Sequence, residues 1–304
     1  MGVSFSSVRS ATQFKALTTL TLVQFENLTT LFSATYQKRY EVSIEEAQRN
    51  LEKEFVFPTA KDLLFYTLYC IKNDMIGAAR AFTFGITESS ADYNFKKGIT
   101  LLHATLAEND LLPARHFESE TAFLDYFKAE GKLIIDATEF KIQRPAENEK
   151  QKEMYSGKKK IHSKKSLVIS NPQGKILYVS YLFAGKTHDY ELLKQEIPPA
   201  QKCLSKKELW LDLGFMGIKK DYHIENLHIP HKKKRVKKGE CNDLTPAQKE
   251  ENKVIGRERV VIEHSIGELK KCRILQQTIR IKKQDCLENL VGIAASLANF
   301  RKRK

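Results

Sequence analysis

The sequence lacks any Cys-x-x-Cys pair, because its five cysteines are scattered between Cys70 and Cys286. This spacing argues against a zinc ribbon and a disulfide framework, and it is typical of a protein in a reducing compartment. No apolar segment follows the first residues, so no secretory signal peptide is predicted. Runs of about 18 apolar residues are also missing, so we expect neither a membrane span nor a membrane partner.

Negative charge is scarce relative to positive charge. The 304 residues include 51 Lys and Arg against 37 Asp and Glu, a formal net charge of +14. The first 112 residues contain 11 basic and 12 acidic side chains, whereas the others contain 40 and 25. A strongly basic region favours a polyanionic partner, either nucleic acid or an acidic membrane surface. We therefore predict two domains with different roles, residues 1–112 and residues 113–304.

Residues 12–110 have the apolar spacing of helices. In TLVQFENLTTLF the apolar side chains follow helical periodicity after Thr21, a candidate N-cap. Further on, a short helix over residues 76–82, a turn at Gly85 and a second helix after Thr87 form the outline of a helix-turn-helix. This region is either a DNA-binding element or an all-helical packing unit. Glu88, near the start of the second helix, disfavours contact with DNA and so favours the packing unit.

From about residue 132 the pattern changes to short apolar runs typical of strands. KLIIDATEF is one predicted strand, and SLVIS and KILYVSYLF form a hairpin around NPQG, in which Gly174 can adopt a positive φ. THDYELLKQE predicts a helix capped by Thr187 or Asp189. ELWLDLGF and NLHIP predict further strands, and a long helix starts at Pro246 and continues past Lys270. This order predicts a mixed α/β fold, with helices packed on a mixed sheet.

Two of the predicted strands end at an aspartate, Asp136 and Asp212. If the strands are neighbours, the carboxylates lie side by side and repel each other unless a cation lies between them. Such hard oxygen ligands suit Mg²⁺ or Mn²⁺. Alternatively, each aspartate only leads its strand into a turn. Glu139 is a candidate auxiliary ligand, although strand alternation explains it equally well.

The long predicted helix contributes a third acid, Glu263. At about 100° per residue, Arg259 lies about 40° and Lys270 about 20° from Glu263 around the helix axis. Gly256 and Gly267 lie on the same stripe, so this face suits a phosphate backbone, with Glu263 binding metal and the two cations binding phosphates. The alternative is a solvated helix face with ordinary charge pairs.

Basic side chains are concentrated in the runs YSGKKKIHSKKS and HKKKRVKK. As phosphate contacts they would make DNA binding depend strongly on salt without reading sequence. Either run can instead be a solvated or disordered segment, and HKKKRVKK also fits a nuclear localisation signal. The predicted DNA-binding residues are Lys158, Lys159, Lys160, Lys164, Lys165, Lys232, Lys233, Lys234, Arg235, Arg259 and Lys270.

Together these motifs resemble the insertion-sequence-five-like branch of the DDE transposases. The spacing of Arg259, Glu263 and Lys270 matches the C-terminal signature of that family, and LIIDATEF and WLDLGFMG match its first and second acid motifs. YSGKKKIHSKKS and AGKTHDYELL are similar to its basic strand and its post-hairpin motif, which implies a supporting role for His188 and Asp189. The resemblance covers about residues 130–300. In that family a tyrosine often lies three residues before the arginine, whereas this sequence has Gly256 at that position.

The resemblance implies an RNase H-like mixed sheet flanked by helices and preceded by an all-helical N-terminal domain. Asp136, Asp212 and Glu263 would be the catalytic residues and would bind Mg²⁺ or Mn²⁺, as two ions. The implied protein is the transposase of a bacterial insertion sequence, which cleaves terminal inverted repeats and transfers the 3′-OH into target DNA. Its partner would be double-stranded DNA, bound by at least a dimer in the bacterial cytoplasm at the nucleoid. A catalytically inactive DNA-binding descendant and another RNase H-like nuclease are the alternatives.

Overall fold

The computed structural model describes residues 2–50, 55–233 and 243–302. Within these ranges, no helix is both long enough and apolar enough to cross a membrane. The chain divides into two compact units. The helical unit comprises residues 1–113, 140–143 and 268–304, and the sheet unit comprises residues 114–139 and 144–267.

In the described residues, the N-terminal part of the helical unit contains a 3-10 turn (Phe5–Ser7) and then six α-helices, most of which start at a serine or threonine. The hydroxyl of Thr21, for example, accepts the backbone N–H of Gln24, as the sequence predicted, and Thr87 caps its helix through Ser90. Such caps satisfy backbone donors that have no partner within the helix. The helices are α1 (Ala11–Thr18), α2 (Leu22–Tyr40), α3 (Ile44–Arg49), α4 (Ala60–Asn73), α5 (Gly77–Phe84) and α6 (Glu88–Glu108).

The predicted helix-turn-helix outline is present in α5 and α6. Gly85, between them, has a φ of 65°, a left-handed conformation that favours glycine. Asp92, on the second helix, forms an ion pair with the buried Arg80 on the first, so this acid fastens the two helices together. DNA contact by α6 stays a prediction.

The sheet unit contains the strands of the chain and five helices within its described part. The strands are β1 (Lys132–Lys141), β2 (Tyr155–Ser156), β3 (Ile161–Ser170), β4 (Ile176–Val179), β5 (Phe183–Ala184), β6 (Glu208–Trp210) and β7 (Asn226–His228). The helices are α7 (Glu120–Tyr126), α8 (Asn148–Met154), α9 (Asp189–Glu196), α10 (Ile218–Asp221) and α11 (Pro246–Leu269).

The strands form one mixed sheet in the order β2-β3-β1-β6-β7, and β4 and β5 also pair with β3. β1, β6 and β7 are parallel to one another, whereas β2, β4 and β5 run antiparallel to β3. This sheet with flanking helices, preceded by a helical region, confirms the predicted mixed α/β fold. The hairpin of β3 and β4 is also confirmed, and Gly174 in its turn has a φ of 74°.

The core of the sheet unit covers one face of the sheet. Leu133 and Ile135 of β1 point to this core and pack with Phe123 of α7 and Leu192 of α9. Because side chains alternate along a strand, Asp136 points to the opposite face of the sheet. β1 continues to its end at residue 141, so this aspartate lies within the strand and not at its end, which corrects the predicted strand boundary.

Two further predictions are corrected by the structure. The N-cap of α9 is His188, in place of the predicted Thr187 or Asp189, because the helix already includes Asp189. The C-terminal helices α12 (Arg273–Gln276) and α13 (Gln284–Phe300) group with the helical unit, although the sequence predicted one domain from residue 113 to the end. Most of α13 is buried and it packs against α6, so its apolar side chains stabilise the helical unit.

Candidate active site

Two aspartates occupy equivalent positions on adjacent parallel strands. The last paired residues of β1 and β6 are Ile134 and Trp210. Asp136 and Asp212 each follow two residues later, so the pairing of the strands places them side by side. The Asp212 carboxylate also accepts the backbone N–H of Gly214 at 2.7 Å, which holds it at the start of a short 3-10 turn.

A third aspartate, Asp189 at the start of α9, joins this pair. A Cβ atom added to Gly214 would lie 2.8 Å from Asp212 Oδ1 and 3.0 Å from Asp189 Oδ2. Both carboxylates therefore converge on one glycine, which has no side chain to separate them. Sequence reasoning gave Asp189 only a supporting role, because no local pattern indicates that α9 begins beside the turn after β6.

The carboxyl group of Asp136 is largely buried, with a side chain 19% exposed. Burial raises the pKa of Asp136 to about 6, and the nearby Asp212 and Asp189 carboxylates also raise it. The backbone N–H of Ala137, at 2.8 Å, and the guanidinium of Arg259, whose Nη2 lies 3.5 Å from Asp136 Oδ2, oppose this rise. Three acids thus share a small region in which a bound cation would stabilise their ionised forms.

Lys165 lies buried behind the aspartates, with a side chain only 5% exposed. Its Nζ lies 3.1 Å from Asp189 Oδ1 and 3.5 Å from Glu139 Oε1, and it donates a hydrogen bond to the Thr187 carbonyl at 2.9 Å. Its ammonium group is therefore already paired with acids of the protein, and the predicted contact of Lys165 with DNA stays a prediction. Its position indicates that it fixes the Asp189 carboxylate.

Lys158 lies at the opening of the same site and is largely exposed. Its Nζ is 3.4 Å from Asp189 Oδ2. Partial burial lowers the pKa of Lys158, but the carboxylates of Asp189, Asp212 and Asp136 outweigh burial and raise it. All three aspartates therefore act on this one ammonium group, which places Lys158 where an incoming anion would meet the acids.

Glu139 is connected to Asp189 through Lys165, which pairs with both acids. It lies three residues after Asp136 on β1, so the two side chains point to opposite faces of the sheet. Its carboxylate accepts hydrogen bonds from Ser163 at 2.9 Å and Ser156 at 3.1 Å, and it pairs with Lys165. These contacts indicate that Glu139 helps to hold β1, β2 and β3 together, and its role as an auxiliary ligand stays a prediction.

Asp189 and Asp212 line a cleft of about 570 Å³, which we call the acidic cleft. The exposed His188 contributes to its wall, next to Asp189. Other residues that line the acidic cleft include Lys158, Lys165, Thr187 and Gly214.

Glu263 lies on α11, one turn after Arg259 and about 6 Å further along the helix axis. The contact of Arg259 with Asp136 places this part of α11 beside β1, and Lys132 Nζ on β1 is 2.5 Å from Glu258 Oε2 on the helix. Glu263 itself is exposed. In the described residues, no three or more His, Cys, Asp and Glu side chains form a group that could hold a metal ion. The structure thus juxtaposes two of the three predicted acids and does not bring Glu263 into contact with them.

The other predicted DNA-binding side chains are dispersed. Arg259 is mostly buried against Asp136. Lys233 Nζ is 2.5 Å from Asp243 Oδ1, and Lys270, just after α11, has its Nζ 5.7 Å from the centre of the Phe140 ring. Lys159, Lys160 and Lys232 are exposed, Lys164 is half-buried, and Lys234 and Arg235 lie outside the described residues.

The donor atoms around Asp136 fit a hard divalent cation. Carboxylate oxygens such as those of Asp136 and Asp212 are the ligands that Mg²⁺ and Mn²⁺ prefer. On the same face of β1, the buried hydroxyl of Thr138 has no hydrogen-bond partner, and neither has Nε of Arg259. Buried polar atoms in proteins are nearly always paired. Two unpaired atoms next to an acid cluster are therefore consistent with a site that binds a further ligand.

Most of this site lies in one stretch of the sequence that matches a known protein family. Residues 135–299 match the family model described as DDE superfamily endonuclease, and this stretch includes Asp136, Asp212 and Glu263. A probable transposase for insertion sequence element IS702 from Microchaete diplosiphon is 31% identical over 176 residues, which cover 57% of this chain. The matched stretch spans 59% of the length of that relative. No solved structure matched.

Proposed function

Because the chain belongs to the DDE superfamily of endonucleases, we propose that it is the transposase of a bacterial insertion sequence. It cleaves DNA at the terminal inverted repeats of the element and joins the resulting 3′-OH to target DNA, with an RNase H-like sheet as its scaffold. The observation that supports this most directly is the pair of aspartates at equivalent positions of the parallel strands β1 and β6. The family match, residues 135–299, includes Asp136 on β1 and the whole of β6.

Asp136, Asp212 and Glu263 are the residues that would hold Mg²⁺ or Mn²⁺. Ions bound there would lower the pKa of the attacking water and would stabilise the leaving 3′-oxygen of the phosphodiester. The raised pKa of Asp136 supports this assignment, since a cation among the carboxylates stabilises their ionised forms. Glu263 follows Arg259 by one helical turn, on the part of α11 that contacts β1 through Asp136.

The cations of the site have separate roles in this proposal. The buried Lys165 holds Asp189 in place, whereas the exposed Lys158 binds a phosphate of the DNA strand that enters the acidic cleft. Lys159 and Lys160 on the same exposed turn extend this phosphate contact. Two DNA ends must be held together for transfer, so the active form is at least a dimer assembled on DNA.

A cleavage assay on duplex DNA tests this function directly. The substrate carries the inverted repeats that flank the reading frame, and cleavage is measured with Mg²⁺, with Mn²⁺ and with chelator. Asp136→Asn, Asp212→Asn and Glu263→Gln should each reduce strand cleavage by at least about 100-fold, as expected for lost charge stabilisation of the transition state. Glu250→Gln, an exposed acid on the same helix α11, is the matched control and should cleave normally.

The assay also separates this function from its alternatives. Cleavage that survives Asp136→Asn would overturn the assignment of the site. Sequence-specific binding of the repeats without cleavage by the unmodified protein would favour a catalytically inactive DNA-binding descendant. Cleavage without joining of the 3′ ends to target DNA would favour a different nuclease of the same superfamily.

A further inference from the structure

The helical unit contains a second cavity, of about 460 Å³, which we call the basic cavity. Its lining comes from α5, α6 and the segment that leads into α13. Apolar side chains form one part of the wall, including Ile76, Phe95 and Ile281. The charged side chains that line it are Asp74, Arg80, Asp92, Lys96, Arg280, Lys282 and Lys283.

Both acids of the basic cavity already have cationic partners. Arg280 Nη1 donates to Asp74 Oδ2 at 3.1 Å, and Asp92 pairs with Arg80. Lys96, Lys282 and Lys283 are exposed, and within the described part of the chain they form no ion pair. The cavity therefore has a surplus of three positive charges that its own acids do not neutralise.

Arg80 provides a fixed cation in the wall, with a side chain 10% exposed. Its Nη1 donates to the Met75 carbonyl at 2.9 Å, and its guanidinium carbon lies 4.4 Å from the centre of the Phe95 ring. Its Nε is buried and has no hydrogen-bond partner. A buried donor without a partner is uncommon, and here it belongs to a side chain that lines an electropositive cavity.

The start of α13 adds to the positive potential of the basic cavity. Lys283 is the N-cap residue of this 17-residue helix, and its side chain makes no capping hydrogen bond. Cys286, in the first turn, lines the cavity. Burial raises the pKa of the Cys286 thiol, while Lys96, Arg80 and Lys283 oppose that rise, so these cations all act at this point of the cavity. A helix N-terminus favours a bound anion.

From this lining we propose that the basic cavity binds a phosphate group of a DNA strand, with the adjoining sugar against its apolar wall. Arg80 and the start of α13 fix the phosphate, and Lys96, Lys282 and Lys283 neutralise it. The proposal rests on the proposed function for its source of phosphate, because a DNA-processing enzyme must hold its substrate. It gives the helical unit a DNA contact that involves the last helix of the chain as well as α5 and α6.

The salt dependence of DNA binding tests the lysines without any need for catalysis. Binding of a fluorescent duplex is measured by anisotropy over a range of salt concentrations. Lys282→Gln with Lys283→Gln should reduce the slope of log affinity against log salt by about 2, because each phosphate contact contributes about one. Lys15→Gln with Lys38→Gln removes the same charge from exposed lysines of the helical unit outside the cavity and should leave the slope unchanged. Equal slopes for the two double variants would overturn the proposal.

Protection of Cys286 tests the location and distinguishes a DNA phosphate from free phosphate. Cys70, Cys203 and Cys272 are buried, and Cys241→Ser removes a cysteine outside the described residues, so a chromogenic disulfide reagent would report on Cys286. A short duplex should slow modification about tenfold, and inorganic phosphate at the same phosphate concentration should not, because a single phosphate has fewer contacts. Protection by phosphate alone to the same extent would overturn the DNA assignment. No protection by either would overturn the site, whether or not the protein cleaves DNA.

Discussion

The acidic cleft of the sheet unit and the basic cavity of the helical unit differ in which sign of charge is left unpaired. At the acidic cleft, Lys158 and Lys165 pair with Asp189, and Arg259 pairs with Asp136 beside it. Among the described residues, Asp212 forms no ion pair, so its negative charge is left unpaired. In the basic cavity, Asp74 and Asp92 each pair with an arginine, and the lysines remain unpaired. The comparison indicates that the unpaired charge at each place, and not the net charge of the region, identifies the ligand: a cation in the first and an anion in the second.

Charge counted along the sequence conceals this difference. Residues 1–112 are close to neutral, and most of the basic side chains lie later in the chain. The basic cavity nevertheless belongs to the helical unit, because the segment from residue 268 onward joins the N-terminal helices. Arg280, Lys282 and Lys283 thus give the helical unit a positive site that its N-terminal residues alone do not provide.

The largest expected effect concerns two lysines that contact the same aspartate. Lys165→Met leaves Asp189 and Glu139 buried without their cation, so the free energy of unfolding should fall by about 3–5 kcal/mol. Lys158→Met removes an exposed partner of Asp189 and should cost less than about 1 kcal/mol. Chemical unfolding of both variants measures the difference.

DNA binding should respond in the opposite order. Lys158→Met should weaken duplex binding because it removes a phosphate contact at the cleft, whereas any Lys165→Met protein that remains folded should bind as the unmodified protein does. In the unfolding measurement, equal stability of the two variants would show that Lys165 is not a buried structural cation.

The second effect concerns the buried carboxyl group of Asp136, next to the acidic cleft. The pKa of Asp136 is about 6 in the folded protein, against the usual 3.8. Between these two pH values the folded state binds a proton that the unfolded state has released. Its contribution to stability is therefore present below about pH 4 and is lost as the pH rises through about 6. In chelator above pH 7, Asp136→Asn should be more stable than the unmodified protein by at most about 3 kcal/mol.

Thermal unfolding against pH, with and without Mg²⁺, measures this effect. Added Mg²⁺ should stabilise the unmodified protein more than Asp136→Asn, since ligand binding to the folded state raises its stability. Parallel pH profiles for the two proteins would show that Asp136 is not held in a repulsive acid cluster.

The third effect concerns the convergence of carboxylates at Gly214. Gly214→Ala places a methyl group within 3.0 Å of both Asp212 Oδ1 and Asp189 Oδ2, so the carboxylates must move apart. Metal-dependent cleavage should fall about 100-fold, since displacements of about 1 Å can have this effect on catalysis. Gly131→Ala, where an added Cβ meets nothing within 4 Å, is the control. Cleavage by Gly214→Ala at the control level would mean that the separation of these carboxylates does not matter.

Local patterns were sufficient to predict much of the fold. The cap at Thr21, the hairpin turn at Gly174 and the long helix from Pro246 depend on neighbouring residues alone, and the structure contains all three. The adjacency of Asp136 and Asp212 was predicted on the condition that their strands are neighbours, and the parallel pairing of β1 with β6 meets that condition.

The remaining features of the site depend on contacts between distant segments. Lys165 was indistinguishable from its exposed neighbours in a basic run, and only the position of α9 shows that it is buried against Asp189. Similarly, α13 resembles any apolar helix until its packing against α6 assigns it to the helical unit. Glu139 is different: its spacing of three from Asp136 already indicates the opposite face of a strand, and that signal was available in the sequence.

The smallest expected effect increases the unpaired positive charge of the basic cavity. Asp74→Asn removes the acid that pairs with Arg280 and retains a residue that accepts the left-handed conformation, since Asp74 has a φ of 51°. Duplex affinity at low salt should rise about two- to fivefold, as expected for one partly exposed charge, and the gain should vanish at high salt. Asp110→Asn, with a φ of 52° and no place in the cavity, is the matched control and should leave affinity unchanged. Equal gains in both variants would mean that DNA responds to the overall charge of the helical unit, and the contrast between cavity and cleft would then not identify the ligand of either.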